Sequence, residues 1–126
     1  MYARTSDQKI AHMRVAGRIL AHTLAEVASA TREGVTGKEL DALARKLIVR
    51  AGGEPAFLNY RPTGATRAFP ATLCVSVNNV VVHGVPTSKP FDAGMLVKLD
   101  LGVIYRGFYA DAATTVSVGA PSPLAR

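Results

Sequence analysis

Residues 96–118 read LVKLDLGVIYRGFYADAATTVSV, with apolar and polar residues alternating on both sides of Tyr105-Arg106-Gly107. Such alternation is typical of strands with one buried face, and it predicts an antiparallel hairpin with strands at about 96–104 and 108–118. With Tyr105 and Arg106 as a two-residue loop, Asp100 lies directly opposite Asp111, and both point away from the apolar face. A bulge at Gly107 is the alternative register.

Two aspartates side by side on one sheet face repel each other unless a cation, a proton or water lies between them. A solvated face on which Lys98 or Arg106 neutralises one carboxylate is the ordinary interpretation, and residue spacing alone favours it. A divalent metal site is the functional interpretation, since hard cations take carboxylate oxygens. Two aspartates make a weak site, so further ligands would be required.

A shorter hairpin is predicted upstream, with strands at about 72–77 and 80–84 joined by Asn78-Asn79. In this register Cys74 faces His83. The pair is compatible with half a zinc site or with a thiolate nucleophile and its base. A small buried cysteine beside a half-buried histidine is favoured, because neither a CxxC motif nor an orienting group accompanies the pair.

Two helices are predicted before the strands, at about 6–30 and 36–51. The second helix begins with a capping box at Thr36 and Glu39. Residues 59–70 contain two prolines, a glycine and two arginines, so they are expected to form a long surface loop. His12 and His22 are interpreted as ordinary helix-surface residues. The apolar stripe of the first helix is predicted to comprise Ile10, Met13, Gly17, Leu20, Leu24 and Val27.

Composition excludes several classes of protein. The chain has 126 residues, a net charge of +6 and 48% hydrophobic residues, which is typical of one domain, or part of one, with a real core. No apolar run approaches the roughly 20 residues that span a bilayer, and the polar N-terminus lacks the apolar segment of a secretory signal. The single cysteine fits a reducing cytoplasm. The basic charge permits contact with RNA, the ribosome or acidic surfaces, but it identifies no partner.

Four segments of the sequence resemble type I methionine aminopeptidases. They are KIAHMRVAGRIL (9–20), CVSVNNVVVHGVP (74–86), DAGMLVKLDLG (92–102) and GFYADAATTVSVG (107–119). Each segment alone is a weak signal. Two aspartates with ten residues between them, preceded by His83-Gly84-Val85-Pro86, make a specific signal in combination.

The resemblance implies an α+β fold, namely the N-terminal half of a pita-bread fold that encloses two divalent metal ions (Co, Zn, Mn or Fe). It also implies removal of the initiator methionine from nascent proteins by metal-activated water. Asp100 matches the family's first metal-binding aspartate, and Asp111 matches the aspartate that bridges both metals. His83 matches the active-site histidine that hydrogen-bonds the substrate. The pocket for the methionine side chain is lined by positions that match Tyr60, Phe69 and Cys74.

The chain departs from the family in length. In the much longer members, the C-terminal half supplies a histidine and two glutamates as further ligands, together with a second catalytic histidine. We therefore expect the polypeptide alone to hold metal weakly, to show little or no aminopeptidase activity and to expose surface that the missing half covers. The expected partners are a nascent peptide beginning with Met and the ribosome.

Two other functions are compatible with the sequence. One is a noncatalytic binding protein of the same fold, for RNA, the ribosome or a protein, although such a module has no need for crowded carboxylates. The other is a proline-specific pita-bread peptidase. The stretch 74–86 is more similar to the methionine-specific branch of the family.

Overall fold

Two helices precede an antiparallel sheet in the computed structural model, which describes residues 2–58, 69–78 and 84–119. The helices are α1 (Tyr2–Ala30) and α2 (Gly37–Arg50). The strands are β1 (Glu54–Pro55), β2 (Leu73–Val77), β3 (Leu96–Tyr105) and β4 (Phe108–Ser117). Within the described residues, neither helix is long and apolar enough to cross a membrane.

The buried stripe of α1 is rotated from the predicted one. Ile10 and Met13 are 46% and 54% exposed, so the predicted stripe is wrong at its N-terminal end. The small residue Ala16 and the polar Thr23 are buried, and a pattern based on large apolar side chains does not register them. The side chains of the buried stripe belong to Ala16, Ile19, Leu20, Thr23 and Val27.

The start of α2 follows the local sequence signal. The Thr36 hydroxyl accepts a hydrogen bond from the Glu39 N–H at 3.1 Å, so the predicted capping residue is confirmed. Leu40, Ala44 and Ile48 are buried at four-residue spacing. These contacts fix the rotation of the helix about its axis.

The sheet is built around β3. β4 pairs with β3 along its whole length on one edge. On the other edge, β2 pairs with residues 97–101 and β1 with residues 103–104, so these short strands follow one another along β3. The sequence did not predict β1, because two residues carry no periodic signal.

The turn between β3 and β4 is Arg106-Gly107, one residue later than predicted. Tyr105 pairs with Phe108, and the two turn residues have φ angles of 48° and 85°. Two successive positive φ angles are the geometry of a type I′ turn, which favours glycine. Gly107 therefore sits inside the turn and does not pair with Ile104.

This turn changes the pairing of the two aspartates. Asp100 lies opposite Ala113, and Asp111 lies opposite Gly102, so the predicted direct opposition of Asp100 and Asp111 is wrong. The residue opposite Asp100 is thus two positions further along β4 than predicted. A shift of two residues leaves every side chain on its predicted face of the sheet.

The outer edge of β2 makes one contact that differs from the predicted register. The Val75 N–H donates to the Gly84 carbonyl at 2.9 Å, a bond made by residues opposite each other in an antiparallel ladder. The predicted register placed Val82 opposite Val75, two residues away. Of the predicted strand 80–84, only Gly84 lies within the described residues.

The two faces of the sheet differ in chemistry. One face is apolar and joins the helices in the core, where the buried β3 residues are Val97, Leu99, Leu101 and Val103. The opposite face, which we call the site face, carries Cys74, Asp100, Gly102 and Asp111. Alternation along each strand produces this separation.

Candidate metal and substrate site

The site face brings both predicted metal-ligating aspartates together. Asp100 is half-buried near the middle of β3, and Asp111 is exposed on β4. Because Asp111 faces Gly102 and Asp100 faces Ala113, the two aspartates are diagonal neighbours. Such neighbours have Cα atoms about 7–8 Å apart, a span that two aspartate side chains can close through a shared cation.

The donor chemistry of this pair fits a divalent metal ion. Carboxylate oxygens are hard ligands, and two negative charges on one face favour a cation between them. Arg106, one of the two basic residues considered for neutralising an aspartate, donates instead from Nε to the Tyr105 hydroxyl at 3.2 Å. In the part of the chain that the structure describes, no group of three His, Cys, Asp or Glu side chains could hold a metal. A metal site at Asp100 and Asp111 would therefore need ligands from other parts of the protein.

Cys74, on β2, is buried and lies directly opposite Asp100 of β3. Burial above all, with the charges of Asp100 and Asp41, raises the pKa of the Cys74 thiol to about 12. The thiol is therefore protonated at neutral pH, which argues against the thiolate nucleophile considered from the sequence. A small, neutral sulfur group in this position suits the wall of an apolar pocket.

Tyr109 flanks the exposed aspartate on the same strand. Its hydroxyl donates to Asp111 Oδ2 at 3.5 Å. Burial, followed by the charges of Asp111 and Asp100, raises the pKa of the Tyr109 hydroxyl above its usual value. The hydroxyl therefore keeps its proton and can orient the Asp111 carboxylate. No sequence signal pointed to this role, since Tyr109 occupies an ordinary strand position.

Two aromatic rings pack together near Gly102 on the site face. Phe69, predicted as a pocket residue, is half-buried and packs edge-to-face against Phe57 with ring centroids 6.4 Å apart. A methyl group on Gly102 would lie 3.0 Å from Phe57 Cε1 and 2.9 Å from the Ala56 Cβ. Phe57 thus lies against the site face at Gly102, which is opposite Asp111. Sequence reasoning missed this residue because it follows β1 in a short stretch without periodicity.

Two predicted site residues, Tyr60 and His83, lie outside the described residues. Their assignments stay predictions. His12 differs from its predicted surface role: its ring lies 5.7 Å from that of Phe108 and 5.9 Å from that of Tyr105. It joins α1 to the end of the β3–β4 hairpin, and the spacing of residues along α1 could not show this.

Comparison with curated proteins finds methionine aminopeptidases. The chain is 40% identical over 122 residues to "Methionine aminopeptidase" of Aquifex aeolicus, a match that covers 96% of this chain and 47% of that relative. It is 41% identical over 114 residues to the Clostridium perfringens enzyme of the same name, covering 90% of this chain and 43% of that relative. The chain thus spans less than half the length of these relatives.

Solved structures agree on the fold. Methionine aminopeptidase from Rickettsia prowazekii superposes with a TM-score of 0.84 at 34% identity, over 92% of this chain and 44% of that one. Prolidase from Pyrococcus furiosus superposes with a TM-score of 0.75 at 22% identity, over 94% of this chain and 32% of that one. At this lower identity the similarity concerns the fold alone. The predicted fold class, α+β with the N-terminal half of a pita-bread architecture, is confirmed.

A family model gives the broadest match along the chain. The model of metallopeptidase family M24 matches residues 11–126, which includes most of α1, all of α2, all four strands and the two aspartates of the site face. Together with relatives of about 40% identity over almost the whole chain, this match establishes that the chain belongs to metallopeptidase family M24.

Proposed function

We propose that the protein to which this chain contributes is a metalloaminopeptidase that removes the initiator methionine from nascent proteins. One observation carries the proposal: Asp100 and Asp111 share a sheet face with Cys74, and the ring of Phe57 lies against the same face at Gly102. The reaction requires a metal-binding site and a pocket for an apolar side chain. Carboxylates beside a small apolar surface provide groups suited to both.

Asp100 and Asp111 would hold the divalent metal ions. When bound, such ions supply a Lewis acid and an activated water for hydrolysis of a peptide bond. The Tyr109 hydroxyl, 3.5 Å from Asp111 Oδ2, orients the carboxylate. Co, Zn, Mn and Fe all suit carboxylate and imidazole ligands.

The substrate's first side chain would lie against Cys74, Phe57 and Phe69. The neutral thiol and two rings offer a polarizable, apolar surface, which complements the thioether of methionine. We assign Tyr60 to the same pocket, and we assign His83 to a hydrogen bond with the substrate. Both assignments follow the resemblance to type I methionine aminopeptidases.

The remaining ligands would come from outside these 126 residues. Two aspartates leave most coordination positions of two ions open, and the relatives have more than half of their length beyond the matched region. We therefore propose that the 126-residue polypeptide by itself binds metal weakly and has little activity. The complete protein would act on nascent peptides in the cytoplasm, near the ribosome.

The proposal is tested by incubating the protein, as its gene encodes it, with Mn²⁺ or Co²⁺ and three peptides. These are a peptide beginning Met-Ala, its N-acetylated form and an Ala-Pro dipeptide. We expect free methionine from the first peptide only, and no release after treatment with EDTA. Asp111→Asn should lower the rate by more than about 100-fold, whereas Asp92→Asn, an exposed aspartate before β3, should not change it.

The other outcomes identify the other candidate functions. Cleavage of Ala-Pro without release of methionine would show a proline-specific peptidase. No cleavage of any peptide by the metal-loaded protein would contradict the proposal and favour a noncatalytic binding protein.

A further inference from the structure

The Asp41 carboxylate on α2 is hydrogen-bonded to the start of β2 and to the residue before it. Asp41 Oδ1 accepts hydrogen bonds from the Thr72 N–H at 2.7 Å and from the Leu73 N–H at 2.9 Å. Thr72 and Leu73 follow Asp41 by 31 and 32 residues along the chain. Bonds from amides to a charged acceptor are stronger than those to a neutral one.

The sheet leaves the Leu73 amide to this carboxylate. The Val75 N–H points away from β3, because it donates to the Gly84 carbonyl. Amides two residues apart on a strand point in the same direction, so the Leu73 N–H also points away from β3. Asp41 therefore takes the place of a neighbouring strand at this end of β2.

The helix that carries Asp41 is itself held firmly. Leu40 and Ala44 are almost fully buried in the core, so α2 cannot rotate without disturbing the core packing.

The Thr72 hydroxyl is buried, and the structure gives it no hydrogen-bond partner among the described residues. The hydrogen bonds from the Thr72 and Leu73 N–H groups to Asp41 thus add to the pairing with β3 at the entry to β2.

The proposed pocket lies next to this entry point. Cys74 is the next residue after Leu73, and it lies directly opposite Asp100. Phe69, which packs against Phe57, lies three residues before Thr72. A displacement of the strand start would move the apolar wall relative to the aspartates, while both aspartates stay on β3 and β4.

We propose that Asp41 is a positioning residue for substrate selection: its carboxylate fixes the start of β2, and thereby the pocket wall at Cys74 and Phe69, relative to Asp100. This inference rests on the proposed aminopeptidase function. It predicts an effect on the fit of the substrate's first side chain that is separate from any effect on metal binding.

The test compares Asp41→Ala, Asp41→Asn and the matched control Glu39→Gln, which removes an exposed charge from the same helix. In the protein as its gene encodes it, Asp41→Ala should raise KM for a Met-Ala peptide about tenfold and lower the preference for methionine over leucine by a similar factor. Metal affinity measured by calorimetry should change less than about twofold. Asp41→Asn keeps an acceptor oxygen, so its KM should lie between that of Asp41→Ala and that of the unaltered protein. Glu39→Gln should have the same KM as the unaltered protein.

Amide hydrogen exchange gives a readout that does not depend on activity. Exchange at Thr72 and Leu73 should be faster in Asp41→Ala than in the control. An unchanged KM and an unchanged preference for methionine in Asp41→Ala would overturn the inference. A fall in the metal affinity of this variant as large as the fall in its kcat would also overturn it. Should Asp41→Ala fail to fold, the KM and metal affinity of Asp41→Asn decide in the same way. Failure of the unaltered protein to release methionine would instead contradict the proposed function, and this inference with it.

Discussion

Cys74 shows at the scale of one residue how burial sets reactivity. It is the only cysteine in the chain, and its thiol pKa is raised to about 12 by burial and by the charges of Asp100 and Asp41. We therefore expect iodoacetamide at pH 7.5 to label the folded protein roughly a thousandfold more slowly than the protein in guanidinium, because its thiolate fraction is that much smaller. Labelling at similar rates in both conditions would contradict this.

The same thiol makes folding depend on pH. The folded state keeps the proton up to about pH 12, whereas the unfolded chain releases it near the ordinary value of 9.0. The contribution of the thiol to stability is therefore complete below the ordinary pKa and is lost as pH rises towards the folded one. Urea unfolding at pH 8 and pH 10 should show a larger loss of stability for the unaltered protein than for Cys74→Ala. Equal losses would show that the thiol does not titrate as described.

Gly102 leaves room for the aromatic wall of the site. A methyl group there would lie 3.0 Å from Phe57 Cε1 and 2.9 Å from the Ala56 Cβ, both tighter than ordinary contacts. Gly102→Ala should push Phe57 from the site face and raise KM for a Met-Ala peptide several-fold. The methyl group would also lie 3.2 Å from the Tyr109 hydroxyl, so metal affinity should fall as well, by a smaller factor. The measurement is steady-state kinetics beside metal titration. An unaltered KM would mean that Phe57 does not touch the substrate.

At the scale of elements, two glycines are expected to respond in opposite ways to the same change. Gly107 has a φ of 85° in the β3–β4 turn, so Gly107→Ala should destabilise the fold by about 1 kcal/mol. Gly17 lies inside α1, where an added methyl group meets no atom within 4 Å, so Gly17→Ala should stabilise it by about 1 kcal/mol. Urea unfolding measures both. A stabilising effect of Gly107→Ala would contradict the assigned turn, and a destabilising effect of Gly17→Ala would contradict the open space around that residue in α1.

The same hairpin shows which features of an element a sequence can predict. Alternation over residues 96–118 assigned Asp100 and Asp111 to one face correctly, because a side chain can point only to one face or the other. The register was wrong by two residues, since it depends on which residues take positive φ in the turn. For α1, the buried stripe was misplaced because Ala16 and Thr23 pack where larger residues were expected.

At the scale of the whole molecule, the sheet separates stability from chemistry. Its apolar face meets the helices, and its site face holds the aspartates, so the shared face of Asp100 and Asp111 could be predicted from strand patterns. Phe57 and Asp41 could not be predicted, because each acts through contacts between segments that are far apart in sequence. Asp41 reaches residues 31 and 32 positions further along the chain.

The most direct test of the metal site is a calorimetric titration of metal-free protein, as its gene encodes it, with Mn²⁺ or Co²⁺. The unaltered protein and Asp92→Asn should bind with the same affinity, while Asp100→Asn and Asp111→Asn should each bind more than about 100-fold more weakly. Circular dichroism of each variant establishes that the loss is not unfolding. Equal metal affinity in all four proteins would contradict the assignment of Asp100 and Asp111 as ligands, and with it the proposed metalloaminopeptidase site.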